Sequence, residues 1–281
     1  MEVFHHINTL RAFLSSRRDT NKVGLVPTMG ALHEGHLKLV NEALDNTDIV
    51  VTSIFVNPTQ FNKKEDLDNY PSTLESDLEK LQMTGCHVAF VPTVDEMYPS
   101  KPELSMKFGL IEDALEGEFR EGHFSGVGLV VSKLFNIVQP HEAFFGQKDL
   151  QQFFVIKKMV DQLNVPIKLH RVPTMRSKEG LALSSRNMRL SETDLEEALL
   201  LIRSLEDAKE LLLANQRIED VKSEIERRFE TAKLLELEYF EIIETDNFQP
   251  ISKIEEKSKT ALCIAAHLNN VRLIDNLLLI S

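Results

Sequence analysis

The sequence has few of the features that mark specialised classes of protein. Its 281 residues include two cysteines and no tryptophan. Cys86 and Cys263 lie far apart in apolar surroundings, which favours reduced, packed thiols over a disulfide. No apolar run approaches the length of a transmembrane helix, and residues 1–6 lack the apolar core of a secretory signal. These absences predict a cytoplasmic protein that does not enter a membrane.

Positive charge is also scarce. Lys and Arg number 32 against 44 Asp and Glu, so the formal net charge is −12 and the pI is near 5.3. This balance argues against binding to nucleic acid or to an anionic membrane surface. Any phosphate site must then be built from a local basic cluster, which makes such clusters informative. The length and the hydrophobic content of 42% suffice for one large or two modest domains.

Segments typical of strands and helices alternate over the first part of the chain. The most β-branched strand runs over residues 48–56. Ser72 and Glu75 form a capping-box pattern that predicts the start of a helix ending at Gly85. The remaining elements are strands over 23–26, 87–91, 142–145 and 167–172, and helices over 8–16, 35–45, 126–138 and 149–163. This alternation predicts an α/β fold with a mostly parallel sheet.

The pattern changes after about residue 189. Ser191–Asp194 predicts the cap of a long helix ending at Leu213, and a second helix is expected over about 219–235. Strand-like runs follow over 239–245, 261–267 and 271–280, the last two joined at Asn269-Asn270. We therefore expect an α/β domain over residues 1–175 and a smaller α+β domain over residues 176–281.

The segment Pro27–His36 is the most informative motif. It follows an apolar strand, precedes a helical pattern, and contains two glycines and two histidines. Glycine lets a backbone approach a phosphate closely, and a helix N-terminus offers free N–H groups. Two half-exposed histidines in an ordinary turn, or a metal site, are the alternatives. The zinc-protease spacing is absent and no third ligand is evident.

Two further motifs also follow strands. Asn57 and Gln60 stand after the most strand-like segment, where open α/β sheets bind ligands, and their amides suit hydroxyls and a carboxylate. Lys148 would place a cation beside a phosphate, and Gln152 shares its helix face. Asp149 could contact a ribose or could only cap the helix, and the sequence leaves both open.

A basic segment then follows in this acidic chain. Between residues 168 and 189 the sequence has six basic residues and one acidic residue, Glu179. Arg186 beside Ser184 and Ser185 suits a triphosphate, although a solvated basic loop is the plainer alternative.

Taken together, these motifs resemble the pantothenate synthetase (pantoate–β-alanine ligase) family over most of residues 25–190. The matching stretches are PTMGALHEGH, FVNPTQF, NYPSTLESDL, GHFSGV, KLFNIVQP, GQKDLQQ and LALSSRN. Leu129 and Gln147 depart from the family's commoner residues. The resemblance implies a Rossmann-like nucleotidyltransferase fold of the HIGH type with a smaller C-terminal domain, as a homodimer.

The resemblance also implies roles for particular residues. His36 would donate a proton to departing pyrophosphate, with His33 beside it, and Asp77 would be associated with Mg²⁺. Gln60 would hold pantoate and later β-alanine, and Gln152 and Asn57 would complete the pantoate site. Lys148 and Arg186 would act with the histidines in catalysis. The residues implied to bind ATP are Met29, Gly30, Ala31, Leu32, His33, Glu34, Gly35, His36, Gly146, Gln147, Lys148, Asp149, Met175, Leu183, Ser184, Ser185 and Arg186.

The expected reaction joins pantoate to β-alanine with ATP as a substrate and Mg²⁺ as its counterion. Pantoate would attack the α-phosphorus, and β-alanine would then attack the pantoyl-adenylate, giving pantothenate and AMP. No protein nucleophile is needed, and the sequence shows no Ser-His-Asp or Cys-His arrangement. The alternatives are another nucleotidylyltransferase of the same fold, which would need extra cations for a phosphate acceptor, and a nucleotide sensor without turnover.

Overall fold

The computed structural model describes residues 1–280, with the side chain of Arg189 left aside. Its larger sheet has six strands in the order β1-β4-β3-β2-β5-β6, and all neighbouring strands are parallel. The strands are β1 Glu2–Phe4, β2 Val23–Thr28, β3 Ile49–Ile54, β4 Val88–Phe90, β5 Glu142–Gly146 and β6 Lys168–Val172. The predicted parallel α/β fold is confirmed.

Helices connect these strands. They are α1 Ile7–Ser15, α2 Glu34–Asn46, α3 Lys64–Asp68, α4 Leu74–Thr84, α5 Val94–Met97, α6 Glu116–Phe119, α7 His123–Val138 and α8 Leu150–Gln162. Short 3₁₀ turns lie at Pro58–Gln60, Gly109–Glu112, Gln147–Asp149, Ser185–Arg189 and Lys257–Lys259. Most of α7 is buried, as the sequence predicts for a helix that is apolar on nearly every side.

The strand order determines where a cleft can form. The chain moves outward from β2 through β3 to β4, and it then returns to place β5 on the other side of β2. Connections leave the carboxyl ends of β2 and β5 in opposite directions, and in open α/β sheets such a switch point is where ligands bind. The motifs after β2 and β5 therefore face each other across this cleft.

The C-terminal part has two helices and a second sheet. Helix α9, Glu192–Leu213, begins with the predicted cap, in which the Asp194 N–H donates to Ser191 Oγ at 3.2 Å. Helix α10, Ile218–Glu230, ends short of the predicted residue 235 because Leu235 already belongs to a strand. The antiparallel sheet consists of β7 Leu235–Glu244, β8 Thr260–Leu268 and β9 Val271–Leu278, with the last two strands joined at Asn269 as expected.

One predicted cap is wrong. Helix α4 starts at Leu74 with Thr73 at the N-cap position, and no side chain caps it. The Thr73 hydroxyl instead donates to Asp77 Oδ1 at 3.1 Å. Strand β1 was not expected from the sequence, because three residues are too few to show a pattern.

One apolar cluster extends from the larger sheet into the C-terminal part, whereas most buried residues of α9, α10 and the antiparallel sheet form a separate cluster. Phe248 and Cys263 of the C-terminal part belong to the same cluster as α7 and α8. Both cysteines are buried and free, as predicted. The division into domains at residues 175 and 176 stays a prediction. Among the described residues, no helix is both long and apolar enough to cross a membrane.

Candidate active site

A cavity of about 210 Å³ lies at the carboxyl ends of β2, β3, β5 and β6. A second cavity, of about 780 Å³, lies beside it and shares Arg120, Lys148, Asp149, Ser184 and Arg186 with it. The predicted site residues that line the first cavity are Met29, His33, Gly35, His36, Asn57, Gln60, Gly146, Lys148, Asp149, Gln152, Met175, Leu183, Ser184, Ser185 and Arg186. The fold thus gathers four separate motifs around one space.

Other predicted residues lie off the walls of the first cavity. Residues 30–32 form the back of the turn, and Glu34 is exposed on another side. The Gln147 amide is directed to β9, where its Nε2 donates to Asn276 Oδ1 at 3.4 Å. That residues 30–32, Glu34 and Gln147 contact ATP stays a prediction.

The turn after β2 is held by one buried carboxylate. Asp77 accepts from the Ala31 N–H at 2.8 Å and from the Leu32 N–H at 2.7 Å. The turn needs a left-handed backbone at Gly30, where φ is +82°, and a Cβ there would lie 3.1 Å from Asp77 Oδ2. Asp77 thus anchors the segment that presents Met29 and the histidines.

This geometry gives Asp77 a structural role, and its expected association with Mg²⁺ stays a prediction. Its carboxylate is buried and directed at backbone N–H groups and a hydroxyl. Among residues 1–280, Arg189 aside, no group of three His, Cys, Asp or Glu side chains could hold a metal ion. The side chains present thus do not fit a protein-built magnesium site, and Mg²⁺ here would depend on ATP's own phosphates.

The two histidines at the start of α2 cap that helix. The Gly35 N–H donates to His33 Nδ1 at 3.1 Å, and the His33 N–H donates to His36 Nδ1 at 3.3 Å. Each Nδ1 is therefore an acceptor, so the proton of each neutral ring is on Nε2. The ring centroids are 4.1 Å apart. Both imidazoles can thus act as Nε2–H donors while their other nitrogens hold the helix start.

Burial keeps these rings uncharged. Desolvation, followed by the nearby Lys148, lowers the pKa of His33 to about 4. Desolvation, followed by His33 and Lys148, lowers the pKa of His36 to about 3. In this arrangement the uncharged His36 ring presents its Nε2–H group as a hydrogen-bond donor. Its expected role as proton donor to the departing pyrophosphate stays a prediction.

The cations lie on the opposite side of the cleft. Lys148 Nζ is 3.8 Å from Asp149 Oδ1, and Arg186 Nη2 is 3.2 Å from Asp66 Oδ2. Asp149 occupies the N-cap position of α8, but its side chain makes no capping hydrogen bond. Capping alone therefore does not account for Asp149. Two cations and the two imidazoles surround a space suited to an anionic group.

Asn57 and Gln60 differ in their hydrogen-bond partners, although their side chains carry the same amide group. The Asn57 amide donates to Gln60 Oε1 at 3.1 Å and to the Gly126 carbonyl at 3.2 Å, while its oxygen accepts from Thr59 and from Tyr98 Oη at 2.8 Å. Asn57 is thus saturated by protein groups. This arrangement turns the Gln60 nitrogen away from Asn57, and its one partner within residues 1–280, Arg189 aside, is the Met29 sulfur at 3.1 Å.

The Gln60 amide group is therefore the better candidate for a ligand. Gln152 also lines the cavity, and its side chain makes no hydrogen bond within the described part of the chain. Apolar side chains of α7 form the adjoining wall, including Val130, Val131 and Leu134. Two free amides beside an apolar wall suit a small acid that carries an apolar body.

The structure adds residues that the sequence did not assign. Arg120, His123 and Tyr70 all line the cavity. His123 belongs to the GHFSGV stretch quoted above, which was the available signal. Tyr70 Oη lies 3.4 Å from Ser185 Oγ, and burial raises the pKa of that phenol. Sequence spacing could not show that these residues face the same space.

The fold and the cavity define an α/β enzyme with an anion site and an amide-lined pocket at the switch point of a parallel sheet. The model of the family described as pantoate–β-alanine ligase matches residues 2–278. The chain belongs to this family.

Individual relatives agree with this family. The pantothenate synthetase of Cytophaga hutchinsonii is 43% identical over 276 residues, covering 98% of each chain. That of Acetivibrio thermocellus is 42% identical over 99% of each. The crystal structure of pantothenate synthetase from Thermus thermophilus has a TM-score of 0.94 at 37% identity, covering both chains fully. A pantoate–β-alanine ligase structure from Francisella tularensis, complexed with β-γ ATP and β-alanine, has a TM-score of 0.80 at 34% identity and covers 99% of this chain and 98% of that one.

Proposed function

We propose that this protein joins pantoate to β-alanine in two steps at the cavity described above. ATP first activates pantoate as a pantoyl-adenylate with release of pyrophosphate. The β-alanine amine then attacks the acyl carbon and releases AMP. The observation that carries the proposal is the juxtaposition of the anion site formed by His33, His36, Lys148 and Arg186 with the free amides of Gln60 and Gln152.

The activation step places its charge where the donors are. As the carboxylate oxygen of pantoate attacks the α-phosphorus, negative charge grows on the departing pyrophosphate. Lys148, Arg186 and the Nε2–H groups of both histidines are suited to stabilise it, and one preorganised donor contributes about 3 kcal/mol. No step requires the protein to form a covalent bond.

Pantoate is expected beside the apolar wall of α7. Its carboxylate and hydroxyls would accept hydrogen bonds from Gln60 Nε2 and Gln152, while Asn57 fixes the direction of the Gln60 amide. Gln60 would contact β-alanine in the second step. The relative from Francisella tularensis, whose title names ATP and β-alanine, supports this choice of substrates.

The adenylate must be kept from water. Two contacts cross the cleft, from Tyr70 to Ser185 and from Arg186 to Asp66. We infer that the basic segment that contains Ser185 and Arg186 covers the site during activation. The family resemblance further supports a cytoplasmic homodimer, which light scattering after size-exclusion chromatography tests.

The decisive experiment separates the two steps. Pantoate alone should support exchange of labelled pyrophosphate into ATP, and AMP should accumulate at turnover rates only when β-alanine is also present. Exchange supported by a phosphate-bearing acceptor in place of pantoate would support the other nucleotidylyltransferase. Binding of ATP with neither exchange nor AMP would support a sensor. Either result would reject the ligase proposal.

His36→Asn tests the donor role of one ring. The Asn oxygen can still accept from the His33 N–H, so the helix cap and the fold should persist, while the Nε2–H group is lost. We expect kcat to fall about 100- to 1,000-fold with little change in thermal midpoint. Lys148→Ala should act in the same way, with Lys157→Ala on the exposed side of α8 as the matched control. Wild-type rates in His36→Asn would contradict the assignment.

A further inference from the structure

A network of polar contacts joins the C-terminal sheet to the cavity. It starts at Arg272 on β9, whose Nη1 and Nη2 donate to the two oxygens of Glu116, both at 2.7 Å. Its Nε donates to Glu238 Oε2 at 2.8 Å. One planar guanidinium thus bridges two carboxylates, and a lysine ammonium cannot reproduce this geometry.

Glu116 is the second member of this network. Its carboxylate is buried, accepts from Tyr239 Oη at 2.8 Å and lies 3.7 Å from Arg120 Nη1. Burial favours the neutral form, but Arg272, Arg120 and Tyr239 together oppose it and lower the pKa of Glu116 to about 2. Glu116 is therefore a carboxylate at neutral pH, held between two arginines.

The network of contacts then reaches the substrate pocket. Arg120 Nη1 donates to His123 Nε2 at 3.2 Å. Because arginine has no acceptor, His123 must carry its proton on Nδ1, from which it donates to the Gln60 carbonyl at 2.9 Å. These contacts end at the residue whose amide faces the cavity.

We propose that Arg272 is a positioning residue for the acid pocket: it fixes Glu116, which orients Arg120 and, through His123, the backbone of Gln60. The C-terminal sheet thereby shapes the first cavity, although Arg272 lines only the second. This inference rests on the proposed function for its kinetic consequences, while the placement of His123 is independent of activity.

Stability alone does not explain such an arrangement. A buried ion pair repays its desolvation cost only with good geometry, so it is weak evidence for a stabilising role. Arg228 offers a matched comparison, because it also contacts two carboxylates, Asp207 and Glu224, in the C-terminal part. Arg228 does not line either cavity described above, so its loss should not reach the pocket.

The test compares Arg272→Lys and Arg272→Met with Arg228→Met. We expect both Arg272 variants to lower kcat/KM for pantoate at least about 10-fold, with KM for ATP nearly unchanged, because a small misplacement in a pocket is costly. Arg228→Met should lower stability only. Equal kinetic losses at both sites, or wild-type kinetics in the Arg272 variants, would overturn the proposal.

Two further measurements define the route. The ¹⁵N shifts of His123 report its tautomer. Arg272→Met should lower the population of the Nδ1–H tautomer, while Arg228→Met should leave it unchanged.

In an Arg120→Met background, Arg272→Met should add little to the loss of kcat/KM. Full additivity of the two substitutions would overturn the route. If Arg272→Met does not fold, Glu116→Gln, which preserves the shape, takes its place. An inactive wild type would reject the proposed function, while the His123 shifts would still decide the positioning role.

Discussion

Asp77 allows a sharp test, because its two possible functions predict opposite results. In Asp77→Asn one acceptor oxygen is replaced by an NH₂ group that faces a backbone N–H of the turn after β2. The carboxylate accepts two such N–H groups at 2.8 and 2.7 Å. Hydrogen bonds to a charged group contribute about 1.5–3 kcal/mol each, and a buried N–H left unsatisfied costs about 1–3 kcal/mol.

We therefore expect Asp77→Asn to lower the free energy of unfolding by about 3 kcal/mol. Urea titrations in the presence of EDTA and without ATP measure this directly. Glu79→Gln, on the exposed side of the same helix, is the matched control and should change stability by less than about 0.5 kcal/mol.

Kinetics complete the test. The turn carries Met29 and leads to the histidines, so kcat should fall in Asp77→Asn and excess Mg²⁺ should not restore it. Wild-type stability in EDTA, combined with activity restored by added Mg²⁺, would refute the anchoring role and support the metal assignment expected from the resemblance.

Two other predictions follow from buried groups. Desolvation, followed by the charge of Arg120, lowers the pKa of His123 to about 4. Between pH 4 and about 6.5 the unfolded protein therefore binds more protons at this residue than the folded protein does. The free energy of unfolding should thus fall with decreasing pH, by about 3 kcal/mol from His123. His123→Asn should flatten that part of the pH–stability curve, and parallel curves would contradict the assignment. A Cβ on Gly126 would lie 2.3 Å from the Thr59 carbonyl oxygen, so Gly126→Ala should lower the free energy of unfolding in urea titrations by about 1–3 kcal/mol. Gly146→Ala should not, because no atom lies within 4 Å of a Cβ there. Equal effects of the two substitutions would contradict this prediction.

Much of the fold was predictable from local patterns. The alternation of apolar strands with helices is a short-range property, so the parallel sheet, the buried helix α7 and the capped helix α9 were all expected. Elements with weak local signals were not: β1 is too short, and α10 was overextended because residues 231–235 carry no clear stop signal.

The site was predictable only in part. Motifs that follow parallel strands must meet at one edge of the sheet, which is why residues near His36, Gln60 and Lys148 were expected together. Residue type, however, does not reveal which polar group is already satisfied. Asn57 and Gln60 have the same chemistry, yet contacts from Tyr98 and Gly126 saturate only Asn57.

The sequence by itself thus determined the class of fold, the segments that bear chemistry and the family to which they are similar. The tertiary structure alone decided that Asp77 anchors a turn, that the histidines present Nε2–H groups, and that Arg272 reaches Glu116 from 156 positions away. The physical reason is that strand and helix patterns arise between neighbours in the chain, whereas hydrogen-bond partners are chosen by packing between distant segments.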